Sequence, residues 1–225
     1  VVLTGGNSGI GERTAVGLAK MGARVLFTSR SADKGEKALA RIREESGNDS
    51  LECLHLDLAE LASVNRFADE VLEKCPSLDV LICNAGLYLT ERFETKDGFE
   101  MTFGVNHLGH FHLVTRLRER LVESAPSRVV VLSSGAHQGA AGGLNFDDLH
   151  GKKRFFGWQA YCRSKLANIL FTRELARRLE GTGVTANSVH PGLVDSGFGG
   201  DGDAGFVMKG LLDVARPFMR SAEQG

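Results

Sequence analysis

Six short runs rich in β-branched and aliphatic residues alternate along the 225-residue chain with longer segments whose apolar residues recur every three to four positions. The runs Val1–Leu3, Arg24–Ser29, Leu51–Leu56, Leu78–Cys83, Arg128–Ser133 and Val184–Val189 read as strands, and Gly9–Met21, Ala32–Ser46, Leu61–Lys74, Gly98–Glu123 and Trp158–Leu179 as helices. The strands are nearly continuous apolar runs, as expected where helices cover both faces of a parallel sheet. Right-handed crossovers between such strands predict a single-domain, doubly wound α/β fold. Two longer irregular stretches, Leu87–Asp97 and Gly135–Gly157, each follow a strand, and ligands in such sheets bind beyond the strand C-termini.

Composition narrows the partners. With 27 basic against 28 acidic side chains, the chain has no electrostatic reason to hold nucleic acid, and a small molecule is the expected ligand. Cys53, Cys75, Cys83 and Cys162 form no Cys-x-x-Cys pair, and three interrupt apolar runs, so they read as reduced packing residues. No apolar stretch reaches the roughly 20 residues that cross a bilayer. The chain begins without methionine inside a strand pattern and stops abruptly at Gly225, so both ends are expected to be incomplete. A cytoplasmic location is expected, or a membrane-associated one facing the cytosol if an anchor precedes the chain. The segment Gly205–Met219 carries Val207, Leu211, Val214 and Phe218 on one helical face; core and membrane contact both remain open for it.

Two motifs carry the chemistry. After the first strand, Thr4-Gly5-Gly6-Asn7-Ser8-Gly9-Ile10-Gly11 places Gly5, Gly9 and Gly11 where backbone can approach a pyrophosphate before a helix N-terminus. An ordinary strand-to-helix turn is the alternative. Tyr161 and Lys165, four apart on a helix, share a face. A cation beside the phenol is expected to favour phenolate and so to let the tyrosine exchange protons near neutral pH. His107, His110 and His112 lie at offsets that do not share one helix face, and no carboxylate or cysteine completes a ligand set, so no metal is expected.

Thr4–Gly11, Asn84-Ala85-Gly86, Asn106, Ser134, Tyr161-x-x-x-Lys165 and Pro191-Gly192 resemble, in type and order over nearly the whole chain, the short-chain dehydrogenase/reductase superfamily, a Rossmann-type family. Val105-Asn106-His107-Leu108-Gly109-His110-Phe111 and the residues around Tyr161 resemble its retinol-dehydrogenase-like branch. The resemblance implies Tyr161 as general acid/base, Ser134 rather than Ser133 as holder of the carbonyl oxygen, Lys165 on the nicotinamide ribose, and Asn106 as holder of a water linked to Lys165. It implies further cofactor contacts from Gly5, Asn7, Ser8, Gly9, Ile10 and Gly11 of the loop, from Asp57 and Leu58 on the adenine side, from Asn84, Ala85 and Gly86, and from Pro191, Gly192, Val194 and Ser196. The family more usually has threonine where Ser196 stands. For Asp57 a helix-start role, and for Asn84 a turn-forming one, stay open.

The residue after the second strand speaks to the cofactor. No carboxylate follows until Asp33, whereas Arg30 and Ser29 are placed to meet a 2′-phosphate, so NADP(H) is expected ahead of NAD(H). The implied activity is hydride transfer between NADP(H) and a lipophilic, retinal-like aldehyde or ketone, with about residues 190–220 closing over the substrate. A weakly catalytic NAD(P)-binding sensor, or an enzyme of the same fold acting on steroids or sugars, are the alternatives. A homodimer is a further expectation.

Overall fold

A computed structural model describes residues 1–192, 194–195 and 220–221. Strands β1 (Val2–Leu3), β2 (Val25–Ser29), β3 (Leu51–His55), β4 (Val80–Cys83), β5 (Ser127–Leu132) and β6 (Val184–Val189) form one parallel sheet in the order β3-β2-β1-β4-β5-β6. The order reverses direction between β1 and β4. That reversal opens a crevice at the strand C-termini, where the loops after β1, β4 and β5 meet. A separate two-stranded pairing joins β7 (Val194–Asp195) and β8 (Arg220–Ser221).

Helices α1 (Gly9–Lys20) and α2 (Ala32–Ser46) pack on one face, and α3 (Leu61–Lys74), α5 (Gly109–Glu123) and α6 (Gly157–Arg178) lie on the other, with a short α4 (Met101–Phe103) leading into α5. Alternation along the strands sorts their side chains between two cores. Val2 and Leu26 join Phe67, Leu81, Leu113 and Leu117 on the α3–α5 side, while Leu3, Val25 and Phe27 join Ala15, Val16 and Ile42 on the α1–α2 side. Each such side chain taken fully out of water contributes about 1.5–3 kcal/mol, so β1 and β2, buried on both faces, anchor the sheet. Local signals set the helix ends. Ser31 accepts the Lys34 N–H at the start of α2, and Gly47, at φ 67°, takes the left-handed turn that ends it.

The expected helix Gly98–Glu123 departs from regularity twice. Gly98 has φ 82°, outside any right-handed helix, and Glu100 instead starts the helical run, its carboxylate accepting the N–H groups of Thr102 at 2.8 Å and Phe103 at 2.7 Å. Gly104–Leu108 then winds as a π-helical turn. Such a turn displaces backbone groups from the regular i to i−4 ladder and is frequent at functional sites. The long stretch after β5 carries two short 3₁₀ turns, Gly135–Gly139 and Phe146–Asp148.

Candidate active site

The loop after β1 is held to the loop after β4 by one hydroxyl. Thr4 Oγ1 accepts the N–H groups of Asn84 at 2.9 Å and Ala85 at 3.0 Å, while the Asn84 amide donates back to the carbonyls of Thr4 at 2.9 Å and Gly5 at 3.2 Å. Gly5 (φ 68°) and Gly9 (φ 54°) occupy left-handed backbone that a side chain disfavours. A Cβ on Gly11 would stand 2.1 Å from the Gly5 carbonyl oxygen, so the strand-to-helix turn closes this tightly only with glycine. Asn7 and Ile10 are half-buried. Ser8, at the N-cap of α1, is exposed, and its hydroxyl makes no capping bond. The acidic residue in that first turn, Glu12, is 7% exposed and answered by Arg41 at 2.9 and 2.7 Å, so its charge does not oppose an anion at the helix end.

At the end of β2 the two residues expected beside a ribose phosphate part company. Arg30 is exposed and has no ion pair among the described residues. Ser29 is 4% exposed and donates its hydroxyl to the Ser31 carbonyl at 2.7 Å, so in this structure its proton is committed to its own loop. The next carboxylate, Asp33, lies in the first turn of α2 and pairs with Lys37 at 2.9 Å. Asp57 accepts the Ala59 N–H at 2.9 Å, bracing the loop before α3 rather than capping the helix, whose N-cap is Glu60; Leu58 is buried beside it.

Tyr161, Ser134 and Lys165 converge at the end of β5. The phenol of Tyr161 and the hydroxyl of Ser134 are hydrogen-bonded. Ser133, one residue earlier, is buried and donates to the Lys165 carbonyl at 2.9 Å. Strand alternation thus sends the two hydroxyls to different partners. Lys165 is 3% exposed; its ammonium gives a hydrogen bond to the Leu132 carbonyl at 3.2 Å and lies 5.6 Å from the centre of the Tyr161 ring. Burial pushes this lysine down to about 8. The phenol departs from the expected phenolate, because burial pushes Tyr161 above its ordinary value, with the Ser134 hydrogen bond working in the other direction. Desolvation of the anion outweighs a cation that does not touch the phenol oxygen.

Asn106 is fully buried in the π-helical turn. Its amide donates to the Leu87 carbonyl at 2.9 Å and to Ser164 Oγ at 3.1 Å, and accepts the Leu87 N–H at 2.8 Å. A Cβ on Gly86 would lie 3.2 Å from Asn106 Oδ1 and 3.6 Å from Lys165 Nζ, which places the Asn84–Gly86 segment, Asn106 and Lys165 around one space. His190 accepts the N–H groups of Gly135 at 3.1 Å and Gly192 at 3.4 Å, and so fastens the Pro191-Gly192 turn beside Ser134. Val194 belongs to β7; Ser196 and the 205–219 segment lie outside the described residues.

Several residues at this site had no role in the sequence reading. Tyr88 and Trp158 flank Tyr161, with ring centroids 5.8 and 6.1 Å from its own, and the 48% exposed indole forms part of the open wall. Asn168 donates to the carbonyls of both Asn106 and Leu132 at 3.1 Å. Its position, one turn beyond Lys165 on the face shared with Tyr161, was the available signal. The three histidines serve separate partners: His107 meets Asn168 Oδ1 at 3.0 Å, His112 meets Asn65 Oδ1 at 2.8 Å, and His110 lies between Thr4 and Asn106.

These features fit a dinucleotide. A glycine turn too tight for side chains leads into an uncapped helix N-terminus, an exposed Arg30 follows the end of β2, and a buried ammonium with a hydroxyl pair lies at the end of β5. A family profile described as short chain dehydrogenase matches residues 1–203. The chain is 48% identical over 225 residues to retinol dehydrogenase 12 of Mus musculus, covering all of this chain and 70% of that protein. It is 48% identical over 200 residues to retinol dehydrogenase 13 of Homo sapiens, covering 88% of this chain and 60% of that protein, so it spans 60 to 70% of the length of these relatives. Among solved structures, the Pseudomonas aeruginosa RhlG/NADP active-site complex superposes with a TM-score of 0.70 at 28% identity, over 87% of this chain and 72% of that one. Fold, site and relatives agree: this chain belongs to the short-chain dehydrogenase/reductase family of oxidoreductases, in its retinol-dehydrogenase-like branch.

Proposed function

We propose that the chain interconverts a carbonyl and an alcohol with NADP(H), acting on a lipophilic, retinal-like aldehyde or ketone, with reduction as the favoured direction. The observation that carries this reading is the hydrogen bond between Tyr161 and Ser134, one helical turn from the buried ammonium of Lys165. A bound nicotinamide supplies the hydride. The protein handles the proton and the oxygen. Burial keeps Tyr161 protonated at neutral pH, so it presents an O–H to a substrate oxygen and can release that proton as negative charge develops there. Ser134 would donate to the same oxygen, and two donors aimed where charge grows stabilise the transition state more than the ground state. Lys165 would hold the ribose hydroxyls and Asn106 a water joined to Lys165, with the glycine loop, Asp57, Leu58 and the Asn84–Gly86 segment cradling the rest of the dinucleotide and Pro191-Gly192, Val194 and Ser196 the nicotinamide end.

The NADP(H) preference rests on Arg30, exposed and without an ion pair among the described residues, in a position where a carboxylate would select NAD(H). An apolar substrate suits the wall of Tyr88 and Trp158 beside Tyr161. The relatives named as retinol dehydrogenases and the neighbour solved with NADP point the same way. Following NADPH absorbance across a panel of short, aryl and long conjugated aldehydes and the matching ketones tests the reading. Turnover should appear and favour the long conjugated aldehydes. No turnover on any carbonyl, with NADPH bound, would replace it with a cofactor-binding role.

A further inference from the structure

We infer that His110 is a positioning residue that joins the cofactor loop, through Thr4, to the Asn106 carbonyl in the π-helical turn beside Lys165. The imidazole is 1% exposed and spans the two segments, Nε2 lying 2.9 Å from Thr4 Oγ1 and Nδ1 3.2 Å from the Asn106 carbonyl oxygen. The proton positions follow by elimination. A carbonyl only accepts, so Nδ1 carries the hydrogen; burial pushes the ring down to about 4, so it is neutral and Nε2 is bare. Thr4 then donates to Nε2 at 2.9 Å in preference to the Ile82 carbonyl at 3.4 Å, while its oxygen accepts the N–H groups of Asn84 and Ala85. One direction of donation therefore runs from the glycine loop through His110 into the π-helical turn.

The far end reaches the lysine. The Asn106 carbonyl that His110 holds is shared with the Asn168 amide at 3.1 Å, and that amide also donates at 3.1 Å to the Leu132 carbonyl. The same Leu132 oxygen receives Lys165 Nζ at 3.2 Å. A shift of Thr4 when the loop closes on a pyrophosphate is thus transmitted to the carbonyl that anchors the ammonium. A residue that only filled this space would pack at lower cost as an apolar ring, without two polar nitrogens to desolvate.

The inference rests on the proposed NADP(H) chemistry, and two measurements separate their failures. His110→Phe keeps the ring volume and loses both bonds; the NADPH dissociation constant should rise and kcat fall by about fivefold or more each. His110→Gln, with one amide donor and one acceptor, should recover most of both losses. A His110→Phe enzyme that only melts at a lower temperature, with both constants intact, would overturn the inference, as would a glutamine variant no better than phenylalanine. If the phenylalanine variant does not fold, nitrogen NMR of the wild-type imidazole decides. Nδ1 should be protonated, Nε2 bare, and the Nε2 resonance should move on adding NADPH although the ring is only 1% exposed. The opposite tautomer, or a resonance unmoved in protein that has bound NADPH, would refute it. A wild-type protein that binds no NADPH would instead refute the proposed function.

Discussion

Lys165 stands 5.6 Å from the centre of the Tyr161 ring and spends its hydrogen bond on the Leu132 carbonyl, while the phenol's hydrogen bond goes to Ser134. The cation is near the phenol without touching its oxygen. Tyr161 is therefore a held acid in this structure, and Lys165 is free to serve ligand oxygens on its remaining N–H groups.

Tyr161→Phe removes the transferable proton and keeps the ring that packs against Tyr88. Turnover should fall by a factor of about 10² to 10⁴, the usual worth of a positioned acid. Cofactor affinity, read by fluorescence titration, should stay close to wild type. A variant that keeps more than about a tenth of wild-type kcat, a barrier rise under about 1.4 kcal/mol, would assign the proton to another group.

The two adjacent serines should separate by readout. Ser134→Ala removes the partner of the Tyr161 phenol and should lower kcat with little change in melting temperature. Ser133→Ala leaves the Lys165 carbonyl without its buried donor and should cost about 1 kcal/mol of stability, with a smaller effect on kcat. Equal kinetic losses in the two variants would contradict the observed division.

Burial of Lys165 makes stability depend on alkaline pH in a direction that can be worked out. Its value falls from the ordinary 10.5 to about 8, so below 8 both folded and unfolded chains carry the proton and the folded state bears the full cost of the buried charge. Between 8 and 10.5 the unfolded chain binds more protons, and this residue makes stability rise with pH. The stability advantage of Lys165→Met over wild type should therefore shrink across that window in denaturant titrations. A difference that stays flat would mean that the ammonium is solvated.

Arg30→Ala should collapse a preference for NADPH over NADH that exceeds about tenfold in kcat/KM, because a charge-assisted contact to phosphate contributes about 1.5–3 kcal/mol. Ser29→Ala should change the preference little, since that hydroxyl is bonded to the Ser31 carbonyl. An enzyme that prefers NADH, or one indifferent to losing Arg30, would reverse the cofactor assignment.

Gly9 has φ 54°, and valine there meets both the left-handed penalty and the close approach of the loop to a ligand. Gly9→Val should abolish cofactor binding. Wild-type affinity in that variant would show the loop to be a turn and nothing more.

The chain's own order of residues determined the alternation of strands and helices, the glycine turn after β1 and the pairing of Tyr161 with Lys165 on one helix, because each depends on spacing within a single element. Arg30 was legible for the same reason, being the first residue past a strand end. Tertiary structure decided the rest. Gly98–Glu123 reads as one apolar periodicity, yet a left-handed Gly98 and the bonds of Asn106 to Leu87 and Ser164 divide it into a later start and a π-helical turn. Ser29 ends β2 and Ser134 lies two residues past β5, and only their surroundings turn one hydroxyl inward to its own loop and the other toward Tyr161. That burial raises the Tyr161 phenol was not legible in the sequence, because spacing measures proximity to a charge and not the loss of water. Depth of burial is set by what the whole sheet and its helices place around Tyr161, and desolvation of the anion wins over an ammonium 5.6 Å from the ring.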